Sequence, residues 1–272
     1  MTEIAARAAG AGSAPIMLIH GMWGCGAQWD GFAARLRSRH ATIMAPDLPG
    51  HGQAAPPLSG LGSLGLADYR SHLEAMLRKA GRPSVLIGHS MGGLIALQLA
   101  ARMPVQAAIL LAPAPAPPHF AVGRSTLRAL GRPLLSAAFR GAPFRLGDGA
   151  AAAALFSDCT PDVAERARAM LGPESGRALF EIAWWFLDRR GAARIDPDAV
   201  RCPLLFVAGA EDRLVPAAAV RACARRFGDR ARLAVLPGRG HWLIDGAAGA
   251  EAAGIVLDWL GRRSGPDLAV TG

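Results

Sequence analysis

Lysine is all but missing from this 272-residue chain: Lys79 is the single example among 30 basic residues, set against 21 acidic ones. The formal charge of +9 is therefore carried by arginine. An excess of this kind invites a polyanion-binding reading, because clustered basic side chains hold phosphates through charge. The clusters are missing too. Arg35, Arg37, Arg39, Arg78, Arg102, Arg225, Arg226, Arg262 and Arg263 stand in ones and twos, with no run of five and no interleaved aromatic ladder. A nucleic-acid partner is not expected, whereas a preference for anionic substrates stays open. Long apolar runs are also lacking. The longest are strand-sized or broken by Arg, Pro and Gly, short of the roughly 18 residues that cross a bilayer. Residues 1–14 hold no apolar stretch of the secretory kind. Cysteine is scarce, and Cys25, Cys159, Cys202 and Cys223 show no paired spacing of a zinc or redox site. They read as isolated reduced thiols, which points to the cytoplasm.

What the chain does have is Gly88-His89-Ser90-Met91-Gly92, between the strand-like run Pro83-Ser84-Val85-Leu86-Ile87 and the helical run Gly93-Leu94-Ile95-Ala96-Leu97-Gln98-Leu99-Ala100. Strand, Gly-x-Ser-x-Gly and helix in that order form a nucleophile elbow, a strained turn that lifts a serine hydroxyl above a sheet edge. A Cβ at position 88 or 92 would collide with the neighbouring strand or helix. The helix start aims free N–H groups and the positive helix end at Ser90, which suits an oxygen that will carry negative charge.

The elbow requires an acid and then a histidine further along the chain. Cys202 to Gly209 reads as a buried strand, followed by Ala210-Glu211-Asp212-Arg213, and Asp212 falls where a parallel sheet gathers its functional groups. A further apolar run, Ala231 to Pro237, leads into Gly238-Arg239-Gly240-His241-Trp242. Ser90, His241 and Asp212 make a working set: the histidine takes the serine proton, and the aspartate fixes its tautomer and stabilises the imidazolium. An oxyanion hole is expected from the backbone N–H groups of Met22, in His20-Gly21-Met22-Trp23-Gly24 after the strand Pro15 to Ile19, and of Met91.

With these residues in hand, the chain resembles the α/β-hydrolase superfamily, in particular its capped serine esterase-like members. The resemblance rests on His20-Gly21, Asp47-Leu48-Pro49-Gly50-His51-Gly52, the elbow around Ser90, Gly209 to Asp212, and Gly240-His241-Trp242. It implies Ser90 as nucleophile, His241 as base, Asp212 as acid, and Met22 with Met91 as oxyanion donors. Asp47 and His51 match a family segment that is usually structural. The family often begins with an antiparallel strand pair, for which 14 residues are too few, so six parallel strands are expected.

At 51% hydrophobic the chain can bury a large core. Its first half alternates as an α/β fold: strand 15–20, helix 26–38, strand 41–46, helix 63–80, strand 84–89, helix 91–102 and strand 107–112. Ala112-Pro113-Ala114-Pro115-Ala116-Pro117-Pro118 breaks the series, since proline fixes φ and restricts the residue before it. The mainly parallel sheet with flanking helices is thus assigned to residues 1–112 and 200–272, and an inserted helical cap to 113–199. Within the cap, Thr160-Pro161 is a helix start. The last cap helix, expected over Glu174 to Arg189, carries Phe180, Ile182, Trp184, Trp185, Phe186 and Leu187 around most of its circumference and needs two surfaces to pack on. If one is a substrate cavity, Trp184 and Trp185 join Trp23, Phe120 and Trp242 in a mainly apolar pocket suited to an acyl chain or aromatic group.

These expectations describe hydrolysis of a small-molecule carboxylic ester through an acyl-enzyme, with short esters favoured and no metal or organic cofactor called for. Thioester hydrolysis presents the same carbonyl to the same groups. C–C bond hydrolysis, cofactor-free haloperoxidase chemistry and a non-catalytic receptor remain open on one fold. The oligomeric state is not legible.

Overall fold

The computed structural model describes residues 14–37, 42–52, 60–119, 136–147 and 149–263. Its strands, in chain order, are β1 (Ile16–Ile19), β2 (Ile43–Met44), β3 (Val85–His89), β4 (Ala107–Leu111), β5 (Pro143–Arg145), β6 (Pro173–Ser175), β7 (Leu204–Gly209) and β8 (Ala231–Leu236). Six of them form one sheet in the order β2-β1-β3-β4-β7-β8. All five pairings in it are parallel. β5 and β6 form a separate antiparallel pair.

The apolar runs are continuous because both faces of the sheet are covered, as a parallel sheet requires. Alternate residues go to opposite sides. Met17, Ile19, Leu86, Ala108, Leu110, Leu204 and Phe206 pack with α2 (Leu66–Ala80), α3 (Met91–Ala100) and α7 (Ala217–Arg225). Ile16, Leu18, Val85, Ile87, Ile109, Leu205 and Val207 pack with α1 (Asp30–Leu36) and α8 (Gly246–Arg263). Fully burying side chains of this size contributes about 1.5–3 kcal/mol each, so the sheet and its two helical layers form the stable body of the molecule. No helix among the described residues is long and apolar enough to cross a membrane.

Strand order reverses beside β1: the chain runs first to β2 on one side and then to β3 on the other. The crevice at the carboxyl ends of β1 and β3 is therefore a topological switch point, where open α/β sheets place ligands.

Between β4 and β7 the alternation stops, as the proline run implies. The segment carries β5, α4 (Ala150–Leu155), α5 (Pro161–Ala169), β6 and α6 (Gly176–Ala183). Pro161 is the first residue of α5, as expected, but Thr160 makes no capping bond and its hydroxyl donates to the Asp162 carboxylate. α6 departs further from expectation. It begins after Ser175, whose side chain accepts from the Ala178 N–H, and ends at Ala183. Glu174 therefore sits in β6 and not in a helix, and Trp184 to Leu187 lie beyond the helix end. Buried side chains tie this segment to the body: the Glu181 carboxylate accepts from the Leu66 N–H at 2.7 Å, at the start of α2, and the Ser175 hydroxyl donates to the Leu64 carbonyl at 2.5 Å.

Candidate active site

Ser90 follows β3 and caps α3 with φ 54° and ψ −119°. A side chain in this left-handed region costs on the order of 1–3 kcal/mol and persists only where its surroundings over-determine it. Here they do. The Ser90 N–H donates to the Leu111 carbonyl, and its own carbonyl accepts from the N–H groups of Gly93, Leu94 and Ala114 at 3.0, 3.3 and 2.9 Å. The flanking glycines are required by close approach: a Cβ on Gly88 would lie 2.2 Å from the Gly92 carbonyl oxygen, and one on Gly92 2.2 Å from the Ile19 carbonyl oxygen. The second contact ties the elbow directly to β1.

Asp212 and His241 are brought together from the loops after β7 and β8, with Nδ1 of the histidine 2.7 Å from Oδ2 of the aspartate. Both are buried, at 7% and 1% exposure. Asp212 Oδ1 is occupied by the N–H groups of Leu214 and Val215, each at 2.8 Å. The carboxylate is thus held on both oxygens, with Nδ1–H of His241 as a donor to Oδ2 and Nε2 as the ring nitrogen it does not engage. His89, inside the elbow, donates from Nε2 to the His241 carbonyl at 2.9 Å and packs against Trp242. Burial and the neighbouring His241 push His89 down to about 3, so it is neutral and a fixed donor.

Ser90 and His241 line one cavity of about 710 Å³ of empty space, its open mouth included. Gly21, Met22, Trp23, Gln28, Met91, Leu155, Leu179, Ile182, Ala183 and Trp242 share its wall. Of the aromatic residues expected there, Trp23 and Trp242 are in place. Phe120 lies outside the described residues. Trp184 and Trp185 do not reach the wall, because α6 ends before them: Trp184 stacks on Phe180 with centroids 6.4 Å apart and meets Phe139, while Trp185 packs on the body. Leu179, Ile182 and Ala183 take their place. A second, more open hollow bounded by Arg177, Phe180, Glu181 and Asp188 holds no serine or histidine.

A second buried pair was not legible in the sequence. His51 Nε2 lies 3.1 Å from Glu174 Oε2, and both side chains are fully enclosed. Glu174 also accepts from the Trp23 N–H at 3.1 Å, the Tyr69 hydroxyl at 2.8 Å and the Ser175 N–H at 2.7 Å. His51 Nδ1 faces the Pro49 carbonyl at 3.2 Å. Each ring nitrogen of His51 thus faces an acceptor, so both carry protons and the ring is an imidazolium. Burial works against that charge, but the Glu174 carboxylate and its hydrogen bond outweigh burial and raise His51 above the ordinary histidine value. Burial likewise works against the Glu174 charge, and His51, with the Ser175 and Tyr69 donors, holds that carboxyl below the usual range. Beside them His20 is pushed to about 3 by burial and by the His51 charge; its Nδ1 donates to the Gly21 carbonyl and its Nε2 accepts from the Leu48 N–H.

A parallel sheet with a strained serine at its switch point defines an α/β hydrolase. The alpha/beta hydrolase family model matches residues 16–268, and the chain belongs to this family. Curated relatives include uncharacterized proteins of Mycobacterium tuberculosis and Mycobacterium bovis, 38% identical over 99 residues, which is 36% of this chain and 28% of each relative. The match thus spans less than a third of those proteins. Among solved structures, a monoacylglycerol lipase of Paleococcus ferrophilus superimposes with a TM-score of 0.71 at 19% identity, over 92% of this chain and 96% of that one. A thermophilic esterase of Thermogutta terrifontis gives 0.67 at 22% identity, over 92% and 90%. At these identities the likeness is one of fold.

Proposed function

We propose that this chain is a serine hydrolase that cleaves small-molecule carboxylic esters through a Ser90-His241-Asp212 acyl-enzyme. The observation that carries the reading is the buried 2.7 Å Asp212–His241 pair, whose histidine lines the same cavity as a serine held at φ 54°. In this mechanism Ser90 Oγ attacks the ester carbonyl carbon and its proton passes to His241 Nε2. The backbone N–H groups of Met22 and Met91 hold the oxyanion. The C–O bond to the alcohol breaks, and the alcohol leaves with the proton from His241. Water then attacks the acyl carbon, His241 takes its proton, and the acid and free Ser90 are released.

The segment 113–199 acts as the cap, and Leu179, Ile182, Trp23 and Trp242 give the cavity an apolar wall that favours an acyl chain or aromatic group. The test is a fluorophosphonate probe with mass mapping, run beside p-nitrophenyl esters of rising chain length and acyl-CoA thioesters. Labelling at Ser90, lost in His241→Ala, with turnover of the p-nitrophenyl esters, is the expected result. An unlabelled Ser90 and no turnover refute the reading, and turnover of the thioesters alone reassigns the substrate.

A further inference from the structure

The loop after β1 carries a strained residue of its own: Trp23 stands at φ 62°, in the left-handed region that a tryptophan rarely adopts. Its main chain is gripped at both ends by the segment between β4 and β7. The Trp23 N–H donates to Glu174 Oε2 at 3.1 Å, and the Trp23 carbonyl accepts from the Gly172 N–H at 2.8 Å. The indole packs edge-on against Phe144 of β5, with centroids 5.7 Å apart, and joins Leu179 in one apolar cluster. Trp23 directly follows Met22, so holding the Trp23 N–H fixes the Met22–Trp23 peptide and with it the main chain of Met22, the residue whose N–H is the proposed oxyanion donor.

Glu174 is itself immobilised. It is fully buried and takes four hydrogen bonds, from Trp23, His51, Tyr69 and Ser175. His51 is held from its other side by Pro49, in the loop after β2. One carboxylate therefore links the loop after β1, the loop after β2, α2 and β6. A side chain serving only to fasten the insertion has no need of the Trp23 amide, since Glu181 and Ser175 already join it to the body.

We propose that Glu174, paired with His51, is a positioning residue for the oxyanion hole: it clamps the strained Trp23 peptide so that the Met22 N–H stays aimed at the developing charge. This rests on the hydrolase reading above. Glu174 touches no substrate and acts through the Trp23 main chain. It contributes to transition-state binding and not to ester binding, because an oxyanion donor is worth most once the carbonyl oxygen bears charge.

The test compares wild-type enzyme with Glu174→Gln on p-nitrophenyl acetate, together with the inhibition constant of a trifluoromethyl ketone, which forms the tetrahedral oxyanion on the serine. The folded variant is expected to lose roughly tenfold or more in kcat with KM within about twofold, and to bind the ketone more weakly by the same factor. A kcat and an inhibition constant both within twofold of wild type overturn the proposal, as does a loss confined to KM. If Glu174→Gln does not fold, Glu174→Asp, which keeps the charge but retracts the carboxylate by one methylene, is read by the same two quantities and the same limits. A wild-type protein that neither labels nor turns over ester overturns the hydrolase reading and the positioning role with it; an active wild type with an unaffected variant overturns the positioning role alone.

Discussion

Among the described residues, two histidine–carboxylate pairs lie buried, and their surroundings are opposite in kind. His241 has one nitrogen on Asp212 and its ring on the cavity wall, so one side of the imidazole is fixed and the other meets the cavity. His51 has an acceptor on each nitrogen and lies against His20 and Tyr69, with no place in that wall. A histidine that is to exchange protons must keep one nitrogen uncommitted, and one that serves as a fixed cation must not. A histidine beside a carboxylate is thus left with a nitrogen free for proton exchange in the proposed mechanism in one place and tied at both nitrogens in the other, and the difference lies in what the second nitrogen meets.

The largest effect that tests this contrast is His241→Ala, expected to lower kcat/KM on p-nitrophenyl acetate by at least about 10⁴-fold in the folded variant. Asp212→Asn, which alters the tautomer while keeping the shape, is expected to cost about 10⁴ in kcat. If both variants keep ester turnover within tenfold of wild type, His241 is no proton carrier and the contrast collapses. The other pair answers in stability. Removing one partner of a buried ion pair costs about 3–5 kcal/mol, so Glu174→Ala is expected to lower the melting temperature by roughly 10 °C or more. An unchanged melt would show that the pair contributes no fixed charge.

A smaller, graded effect is the response of stability to pH. His20 and His89 sit near 3 in the folded protein and near ~6.5 unfolded. Their neutral forms stabilise fully above the unfolded value, and that stabilisation is lost as pH falls from about 6.5 towards 3, by up to about 1.4 kcal/mol per pH unit for each group. The His51 contribution runs the other way, present below ~6.5 and lost as pH rises through its raised folded value, while that of Glu174 is present above ~4.3 and lost as pH falls through its depressed one. Urea midpoints should therefore fall between pH 6.5 and 4; a flat profile there would mean that His20 and His89 are not buried neutral. The smallest expected effect is on chain-length preference: Leu179→Ala should shift the best p-nitrophenyl ester towards longer acyl groups, and Trp184→Ala, whose ring stacks on Phe180 away from the wall, should not.

What was legible in the sequence was whatever a local pattern encodes. The runs that became β1, β3, β4 and β7 are apolar on both faces, β8 at the sheet edge is apolar apart from the exposed Arg232, and the elbow, Asp212 and His241 follow strand ends at short range. The expected strand 41–46 is a two-residue pairing within the described residues, and the helix expected over 26–38 opens as a 3₁₀ turn at Gly26–Trp29 before α1. The end of α6 was hidden because Trp184 to Leu187 continue the apolar pattern with no glycine or proline to stop it. Glu174 was hidden for a different reason. Gly172-Pro173-Glu174 reads as a helix start, whereas the pairing of Pro173 with Arg145 and of Ser175 with Pro143 is made across the chain. The partner that gives the glutamate its purpose is 123 residues away, and no local spacing announces it.

The grip of Gly172 and Glu174 on the Trp23 peptide bears on how this protein can be recombined. A chimera that trades the segment between β4 and β7 for that of a related protein, with joints placed in the flanking loops, would carry away the carboxylate that holds the Trp23 main chain. Grafts that keep Gly172 to Ser175 with the host, or that transplant the first loop along with that segment, respect the unit that the hydrogen bonds define, which is not the unit that the chain's topology suggests.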